Sequence, residues 1–499
     1  MKSATVKDSL WVAISLSIAL LSGNVAAQNA KPIDVSKARV ADYWTSERRA
    51  KAIPRDLVID PRGLGYLKRL DGSFVPYGHD IAARATPGNQ TILPFGKPSG
   101  SGDTVPPTIS GMDPQANATI GATYTFKTTV VDASGVKSVA FQIQKAGSNV
   151  QSFAAANTGA DTWSVSLRGF TDGDWSWSVE AKDNARRGGN TATAGPVAFR
   201  VNTGSGGGGG SGGTVTSAPW TQGTIQYAAG RLYFEMPNNA KRSGPWTGYV
   251  CSGTVATDST SARSLVITAA HCVYDDANKA FARNVLFIPD QAHTSGSGTD
   301  LNCSNDPKGC WVPSFGVVDV NWTTRTFPDN VKWDYAFYVV ADSGAHQSGI
   351  ETTSSDALDV AAGSFQLSFS APFVELGSSS ADFTYGLGYS YSEDPQFMYC
   401  AQDMTTNGAV NWWLPSCGLS GGSSGGPWVQ DGTNSWTGSA PANIISVNSW
   451  GYTNQPGMAG PKLVENSASC VFEKAKTEWL VDPLLDGEAG VKVDPSNCP

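Results

Sequence analysis

Three stretches in the second half of this 499-residue sequence carry side chains suited to nucleophilic catalysis. The first is the β-branched run LVITAAHC at residues 265–272, which ends in small residues and His271. Imidazole is the side chain best suited to moving protons near neutral pH. A histidine after such a strand is more often structural than catalytic. However, His271 is one of only four histidines and lies beside a cysteine, which makes it a candidate general base.

The second stretch places one carboxylate at the start of an apolar strand. Residues 333–340 read WDYAFYVV, with Asp334 as their only charged residue. Burying an unpaired carboxylate is costly, so an acid at this place requires a hydrogen-bonded partner such as an imidazole N–H. Asp319 and Asp329 are nearby alternatives, although neither begins so apolar a run.

The third stretch, GGSSGGPW at residues 421–428, frames a serine with glycines on both sides. Such glycines allow a sharp turn and a close approach to a ligand, and they present the hydroxyl of Ser424 beside free N–H groups. The alternative is an ordinary Gly/Ser loop, of which the chain has several.

The order His, Asp, Ser along the chain matches that of the chymotrypsin-type triad. Four motifs, TAAHC at 268–272, DYA at 334–336, GSSGGP at 422–427 and SWG at 449–451, carry a closer similarity. Through them the chain resembles secreted trypsin-like serine peptidases of the chymotrypsin fold, particularly bacterial ones, over most of residues 220–499.

This resemblance implies a role for each matched residue. His271 would be the general base, Asp334 its orienting carboxylate and Ser424 the nucleophile. The backbone N–H groups of Gly422 and Ser424 would form the oxyanion hole. The chemistry needs neither a cofactor nor a metal ion, and its substrates would be proteins or peptides.

The resemblance also implies a substrate-binding region. Ser449, Trp450 and Gly451 would form the edge that pairs with an extended substrate, and Gly457 would line the far wall of the specificity pocket. Gly418 stands where trypsin-like specificity would require an acid. We therefore expect a pocket for a large uncharged side chain rather than for Lys or Arg.

One further departure from the family concerns activation. Digestive relatives have an acid just before the nucleophile, which pairs with a newly cut N-terminus that begins with Ile or Val. Here that position is Ser423, and no Ile-Val-Gly-Gly segment precedes Cys251. The usual activation switch is therefore absent.

Eight cysteines, all in the last half of the chain, predict disulfides in an oxidising compartment. Eight cysteines allow 105 pairings, and a structural zinc site is disfavoured because the sequence lacks the short paired spacings of such sites. The resemblance implies one bridge beside the catalytic histidine, and proximity in sequence favours three more. The predicted pairs are Cys251–Cys272, Cys303–Cys310, Cys400–Cys417 and Cys470–Cys498.

The N-terminus predicts export. Residues 1–27 combine two lysines, an apolar run at 10–21 and the small residues VAA at 25–27, as secretory signal peptides do. A membrane anchor is disfavoured because the apolar run is shorter than the ~20 residues that span a bilayer. We expect a secreted monomer, extracellular or periplasmic, with no membrane attachment after the signal is removed.

The rest of the chain divides by composition into four segments, and its sequence pattern predicts an all-β protein. Residues 104–203 alternate apolar and polar positions and resemble bacterial immunoglobulin-like domains, which implies a β-sandwich. Residues 204–219 form a Gly/Ser-rich linker. Residues 220–499 form the peptidase domain, for which the resemblance implies a chymotrypsin-like double β-barrel. Residues 28–103 contain one short helix near 45–53 and little core of their own.

The net charge of −8 is unevenly spread. Residues 28–103 carry +4, whereas residues 220–499 carry −14, an acidity that argues against nucleic acid as a partner. Opposite charges predict that residues 28–103 are a pro-segment that covers the peptidase domain and is cut near Lys68-Arg69 or Arg48-Arg49. The alternative is an extension that makes no contact.

Two other functions compete with the peptidase hypothesis. A secreted binding or adhesion protein with an inactive peptidase-like domain is the main alternative, and loss of a triad member would favour it. A secreted esterase of the α/β-hydrolase type is excluded by chain order and by the all-β pattern, because those enzymes run Ser, Asp, His.

Overall fold

The computed structural model describes residues 35–78 and 103–498, apart from short gaps. The gaps are residues 160, 186–188, 203–212, 260–261, 297–301, 348, 351–356, 371, 377–380, 409, 432–435, 465–466 and 480–488. The predicted signal peptide and most of the Gly/Ser run therefore lie outside the described residues. Within them the α-helices have at most ten residues and strands dominate, which confirms the all-β prediction. No helix of the described part is long and apolar enough to cross a membrane.

The N-terminal segment, residues 35–78, is more ordered than the sequence predicts. Thr45 caps a helix where one was expected, and a second helix precedes it. A three-stranded antiparallel meander, β2-β3-β4, follows. The elements are α1 (Val35–Tyr43), α2 (Ser46–Lys51), β1 (Ile53–Pro54), β2 (Asp56–Ile59), β3 (Gly65–Lys68) and β4 (Phe74–Pro76).

Residues 108–201 form two facing sheets. Strands β5, β7, β11 and β10 are neighbours in one, and β6, β13, β12, β8 and β9 in the other. Their inward residues, among them Phe126, Phe141 and Trp177, are buried in a core of their own. The strands are β5 (Thr108–Asp113), β6 (Thr119–Ile120), β7 (Thr123–Val131), β8 (Val136–Lys145), β9 (Gln151–Ala154), β10 (Ala156–Gly159), β11 (Thr162–Arg168), β12 (Gly173–Asp183) and β13 (Thr191–Val201).

A curled antiparallel sheet follows, with strand order β20-β15-β16-β17-β23-β22. Its elements and their connections are β14 (Val215–Pro219), α3 (Ile225–Ala228), β15 (Ala229–Pro237), β16 (Trp246–Ala256), β17 (Arg263–Thr268), β18 (Tyr274–Asp275), β19 (Ala280–Phe281), β20 (Arg283–Pro289), β21 (Cys310–Trp311), β22 (Phe315–Asp319), α4 (Val320–Thr324), β23 (Ala336–Ala341) and β24 (His346–Gln347). Strand β14 covers the last five residues of the range predicted as linker, because these residues pair with β28 (Met398–Asn407).

A second sheet repeats this arrangement. Its elements and their connections are α5 (Leu358–Ala362), β25 (Gln366–Leu367), β26 (Phe373–Glu375), β27 (Ala381–Gly388), β28, β29 (Asn411–Leu414), β30 (Pro427–Gln430), β31 (Asn443–Val447), β32 (Trp450–Tyr452) and β33 (Met458–Pro461). Helix α6 (Ala468–Thr477) and strand β34 (Gly490–Val493) follow, and β34 pairs with β22 of the first sheet. The pairings run β31-β30-β27-β28-β29-β33, with β32 next to β33. We number the strands in chain order from β15 in the first sheet and from β27 in the second, without the two-residue strands and β32. The fourth, first, second, third and sixth strands are then neighbours in both sheets.

Single-turn 3-10 helices punctuate the loops, at Ala270–Cys272, Gln291–His293, Cys303–Asn305, Val331–Trp333, Tyr391–Glu393 and Pro495–Asn497. The four predicted disulfide pairs are confirmed, and no free cysteine remains in the chain. The N-terminal segment joins both sheets of the second half, since β1 pairs with β16 and β2 with β32.

Candidate active site

His271 follows β17, where the apolar run ends in Thr268 and two alanines and the chain turns into a 3-10 helix. Strand β17 is antiparallel to β23, with Thr268 opposite Ala336. The residues just after β17 and just before β23 therefore meet at one edge of the sheet. This register brings His271 to Asp334.

The imidazole and the carboxylate are joined twice. The backbone N–H of His271 donates to Asp334 Oδ1, and Nδ1 lies 2.8 Å from Oδ2. Because a carboxylate accepts only, Nδ1 carries the hydrogen and Nε2 of a neutral ring is left with its lone pair. His271 Nε2 is buried and has no hydrogen-bond partner within the described residues. The ring is thus held in the tautomer that a general base requires.

The two alternative carboxylates, those of Asp319 and Asp329, are not bonded to His271. Asp319 caps α4 by accepting from the backbone N–H of Asn321 and also accepts from the hydroxyl of Ser467. Asp329 lies in a turn, in which its backbone N–H donates to the carbonyl of Thr326. Neither is bonded to His271, so the structure assigns Asp334 as its partner.

Ser449 gives Asp334 a further donor. Its hydroxyl lies 2.5 Å from Asp334 Oδ2, and both residues are buried. The motif SWG predicts Ser449 as part of a substrate edge, but nothing in the sequence indicates this contact. A carboxylate that accepts three hydrogen bonds is held firmly in place.

Ser424 is brought to the same edge by the tight loop around it. The neighbouring Gly425 has φ +81°, and a Cβ at this position would collide with Thr268 Oγ1 and Ser252 O. The carbonyl of Ser424 accepts from the backbone N–H of Ser252 at 2.7 Å. Ser424 is therefore locked against the residues that precede His271, although no hydrogen bond joins its Oγ to Nε2 in this state.

Two N–H groups of this loop are unpaired. Within the described residues, the backbone N–H groups of Gly422 and Ser424 have no acceptor, whereas those of Ser423, Gly425 and Gly426 bond to backbone carbonyls. Unpaired backbone donors in a buried loop are rare and mark a place where a ligand oxygen can bind. They fit the predicted oxyanion hole.

The sequence does not reveal which residues pack against Gly422 in the loop that carries Ser424. The buried guanidinium of Arg231 pairs with Asp394 at 2.6 Å and donates to the carbonyl of Tyr389. A Cβ on Gly422 would lie 2.9 Å from its Nη1. The hydroxyl of Ser252 donates to the carbonyl of Gly422 at 3.0 Å.

Asn448 braces the other side of the loop. Its side-chain amide donates to the carbonyls of Leu387 and Ser423, and its Oδ1 accepts from the indole of Trp428. Its own carbonyl accepts from the N–H of Gly425. Every polar side-chain atom of this buried asparagine is paired, which fixes the path of the loop that carries Ser424.

The predicted substrate-binding residues form a continuous group. Trp450 is opposite Ala459, and a Cβ on Gly451 would lie 3.2 Å from the carbonyl of Gly457. The N–H of Gly457 bonds to the carbonyl of Cys417, and the exposed Gly418 follows directly. A Cβ on Gly457, which has φ +121°, would collide with the ring of Trp413.

Two other features of the described residues are separate from this group. A cleft of about 1100 Å³ lies between α1 and the first sheet and is lined in part by Tyr43 and Phe315. In the sandwich, carboxylate oxygens of Asp103, Asp132 and Asp183 lie within 4.8 Å of one another.

Known proteins give little further guidance. No family model and no curated protein matches the chain. Among solved structures, the endo-β-1,4-mannanase of Thermotoga petrophila matches at 15% identity with a TM-score of 0.16, over 20% of this chain and about a fifth of the mannanase. Fibronectin(III)-like modules of Clostridium thermocellum CbhA match at 10% identity and TM-score 0.15, over 37% of this chain and 86% of that one. Repeats from the extending region of a large adhesion protein match at 14% identity and TM-score 0.14, over 61% and 86%. Similarities this low carry no argument.

Substitution of Gly422 tests the unpaired donors. Gly422→Ala places a Cβ at φ +94° against Arg231 and Tyr389, so the loop must shift and its N–H move. We expect kcat for peptide hydrolysis to fall about 10²-fold, the effect of losing one oxyanion donor. Gly408→Ala is the matched control, because Gly408 has φ +62° with open space around it and pays only the backbone cost. Equal activity of the two variants would contradict this role of Gly422.

Proposed function

We propose that this chain is a serine endopeptidase that cleaves peptide bonds through an acyl-enzyme. The observation that carries the proposal is the buried His271–Asp334 pair, which leaves Nε2 free beside the locked loop of Ser424. An inactive peptidase-like binding protein would not need this combination of a fixed tautomer, an available ring nitrogen and unpaired N–H groups.

The mechanism follows from these positions. His271 Nε2 takes the proton of Ser424 Oγ as that oxygen bonds to the substrate carbonyl carbon. The carbonyl oxygen becomes an oxyanion, which the N–H groups of Gly422 and Ser424 stabilise. His271 then protonates the leaving amine and the C–N bond breaks. A water molecule, deprotonated by the same nitrogen, hydrolyses the ester and restores Ser424.

The architecture proposed for this function is a chymotrypsin-like double barrel behind an immunoglobulin-like sandwich. The strand order shared by the two curled sheets supports the first part, and the two facing sheets at residues 108–201 support the second. The site lies between the two curled sheets, since His271 and Asp334 belong to the first and Ser424 and Ser449 to the second.

The test is covalent labelling followed by a digest. The chain, freed of residues 28–102 by a protease site inserted before Asp103, is treated with a fluorophosphonate, and the labelled peptide is identified by mass spectrometry. We expect a single adduct on Ser424. Digestion of a peptide library by the same sample then gives the side chain preferred before the cut, for which the exposed Gly418 favours a large uncharged residue. Absence of label together with absence of cleavage would support the binding-protein alternative.

A further inference from the structure

The N-terminal segment lies across the site described above. We propose that residues 53–59 form an inhibitory strand that fills the substrate cleft with its chain direction reversed, so that it blocks the peptidase without being cut. The inference rests on the proposed function and names how that activity is held off.

The segment is paired with an edge on each side of the triad. On one side, β1 is parallel to β16, with Pro54 opposite Val250, two residues before the Ser252 that bonds to Ser424. On the other side, β2 is parallel to β32, with Leu57 opposite Trp450. Residues 55 and 56 therefore bridge the gap in which Ser424 and His271 lie.

Pro54 and Asp56 lie against the loop that carries Ser424. A Cβ on Gly421, the residue before the first unpaired N–H, would lie 2.8 Å from Pro54 Cβ and 3.1 Å from Asp56 Oδ2. Burial raises the pKa of Asp56, while the charges of Lys68 and His271 act in the opposite direction. With this segment in place, His271 and Ser424 are both buried.

The chain direction decides whether the segment is a substrate. We infer that the residue under attack would place its side chain in the pocket beside Gly457, with the residues before it extending along β32 away from Ser449. A substrate thus runs antiparallel to β32. Strand β2 runs parallel to it over residues 57–59, opposite 450–452. A strand that runs in the reversed direction still pairs with β32. However, it does not orient a backbone carbonyl so that Ser424 Oγ can attack its carbon.

Buried groups anchor the segment beside the cleft. Arg55 pairs with Asp275 at 3.3 Å, with both side chains buried, and donates to the hydroxyl of Tyr77, which in turn donates to Asp276 at 2.5 Å. The ring of Trp44 is buried and its indole donates to the carbonyl of Asn284. Because these contacts are shielded from solvent, salt screens them far less than exposed charges.

The structure also distinguishes the two basic pairs considered as processing sites. Arg49 is buried, whereas Lys68 and Arg69 are exposed where β3 leads into its turn. A processing enzyme can reach the side chains of the second pair, which the first pair does not allow for Arg49. Cleavage there separates the strand in the cleft from the rest of the chain, so that it can dissociate.

A pair of leucine substitutions tests the strand. Leu57 is 0% exposed in β2, whereas Leu70 is 56% exposed in the turn between β3 and β4. In the intact chain from residue 28, we expect Leu57→Asp to speed fluorophosphonate labelling of Ser424 at least tenfold, because a buried charge loosens the segment. Leu70→Asp should label at the rate of the unsubstituted chain.

The same proteins cut at the protease site before Asp103 provide the reference. After cleavage and removal of the freed segment, all three should label at one fast rate, which also shows that the catalytic domain of each is folded. If the intact unsubstituted chain labels as fast as its cut form, the inhibitory strand is refuted and the peptidase proposal stands. If no cut form labels at all, the proposed function itself fails.

The reversed direction has its own readout. The intact chain is incubated with its cut and active form, and its peptides are followed by mass spectrometry. We expect the bonds from residue 53 to 59 to stay whole while sites elsewhere in the segment are cut. Efficient cleavage within 53–59 of the docked segment would show that it binds in the direction of a substrate.

Discussion

Ser424→Ala should abolish peptide hydrolysis while leaving the fold unchanged. The hydroxyl is the proposed nucleophile, and the loop around it is held by backbone contacts with Ser252 and by Asn448, none of which uses Oγ. In a triad that acts as a unit, losing the nucleophile lowers kcat by about 10⁶-fold, and residual activity comes only from binding and the oxyanion donors. Peptide hydrolysis by the cut chain measures the rate, and thermal unfolding checks the fold.

Ser423→Ala is the matched control for this prediction. Ser423 is buried in the same loop, one residue earlier, and the change removes the same atom. It should retain most of the activity and the fluorophosphonate label. A Ser424→Ala/His271→Ala double variant should be no slower than either single variant, because each alone already disables proton and acyl transfer. Full labelling of Ser424→Ala would refute its assignment as nucleophile.

Local motifs explain why the candidate site was predictable. The short stretches around His271, Asp334 and Ser424 each place a polar residue at the end of an apolar strand or between glycines, and the strand register brings the first two together. The disulfides were equally local, since in each pair the cysteines that bond are neighbours in the order of the cysteines along the chain.

Contacts that join distant parts of the chain were not predictable. The hydroxyl of Ser449 reaches Asp334 over 115 residues, and the guanidinium of Arg231 reaches Asp394 over 163. The motif around Ser449 predicts a substrate edge but not this partner, and Arg231 belongs to no motif. Such pairs are fixed by how the two curled sheets face each other, which single-sequence periodicity does not encode.

The N-terminal segment shows the same limit in another form. Its charge of +4 against −14 predicts an attraction that salt would weaken. In the structure the segment is held by strand pairing, by buried residues such as Trp44 and Leu57, and by the buried ion pair of Arg55. We therefore expect the inhibition of the peptidase by this segment to change little between 0.1 M and 1 M salt. The net charges predict that the segment contacts the second half of the chain, but they do not predict that strand pairing and buried groups hold it there.

Asp334→Asn should lower the rate of peptide hydrolysis severely, although it exchanges only one side-chain oxygen for an NH₂ group. The amide oxygen can still accept from the backbone N–H of His271, which turns the NH₂ group towards Nδ1. Nδ1 must then accept, so the ring hydrogen moves to Nε2, which no longer has a lone pair for the proton of Ser424. We expect kcat to fall by ~10⁴-fold.

Asp329→Asn, at a nearby acid that is not bonded to His271, should leave kcat unchanged. Ser449→Ala removes one donor to the carboxylate but keeps the tautomer, so its loss should be far smaller than that of Asp334→Asn. Rates of hydrolysis for the cut chains decide the point, and an Asp334→Asn enzyme within tenfold of the parent would mean that the carboxylate does not set the tautomer of His271.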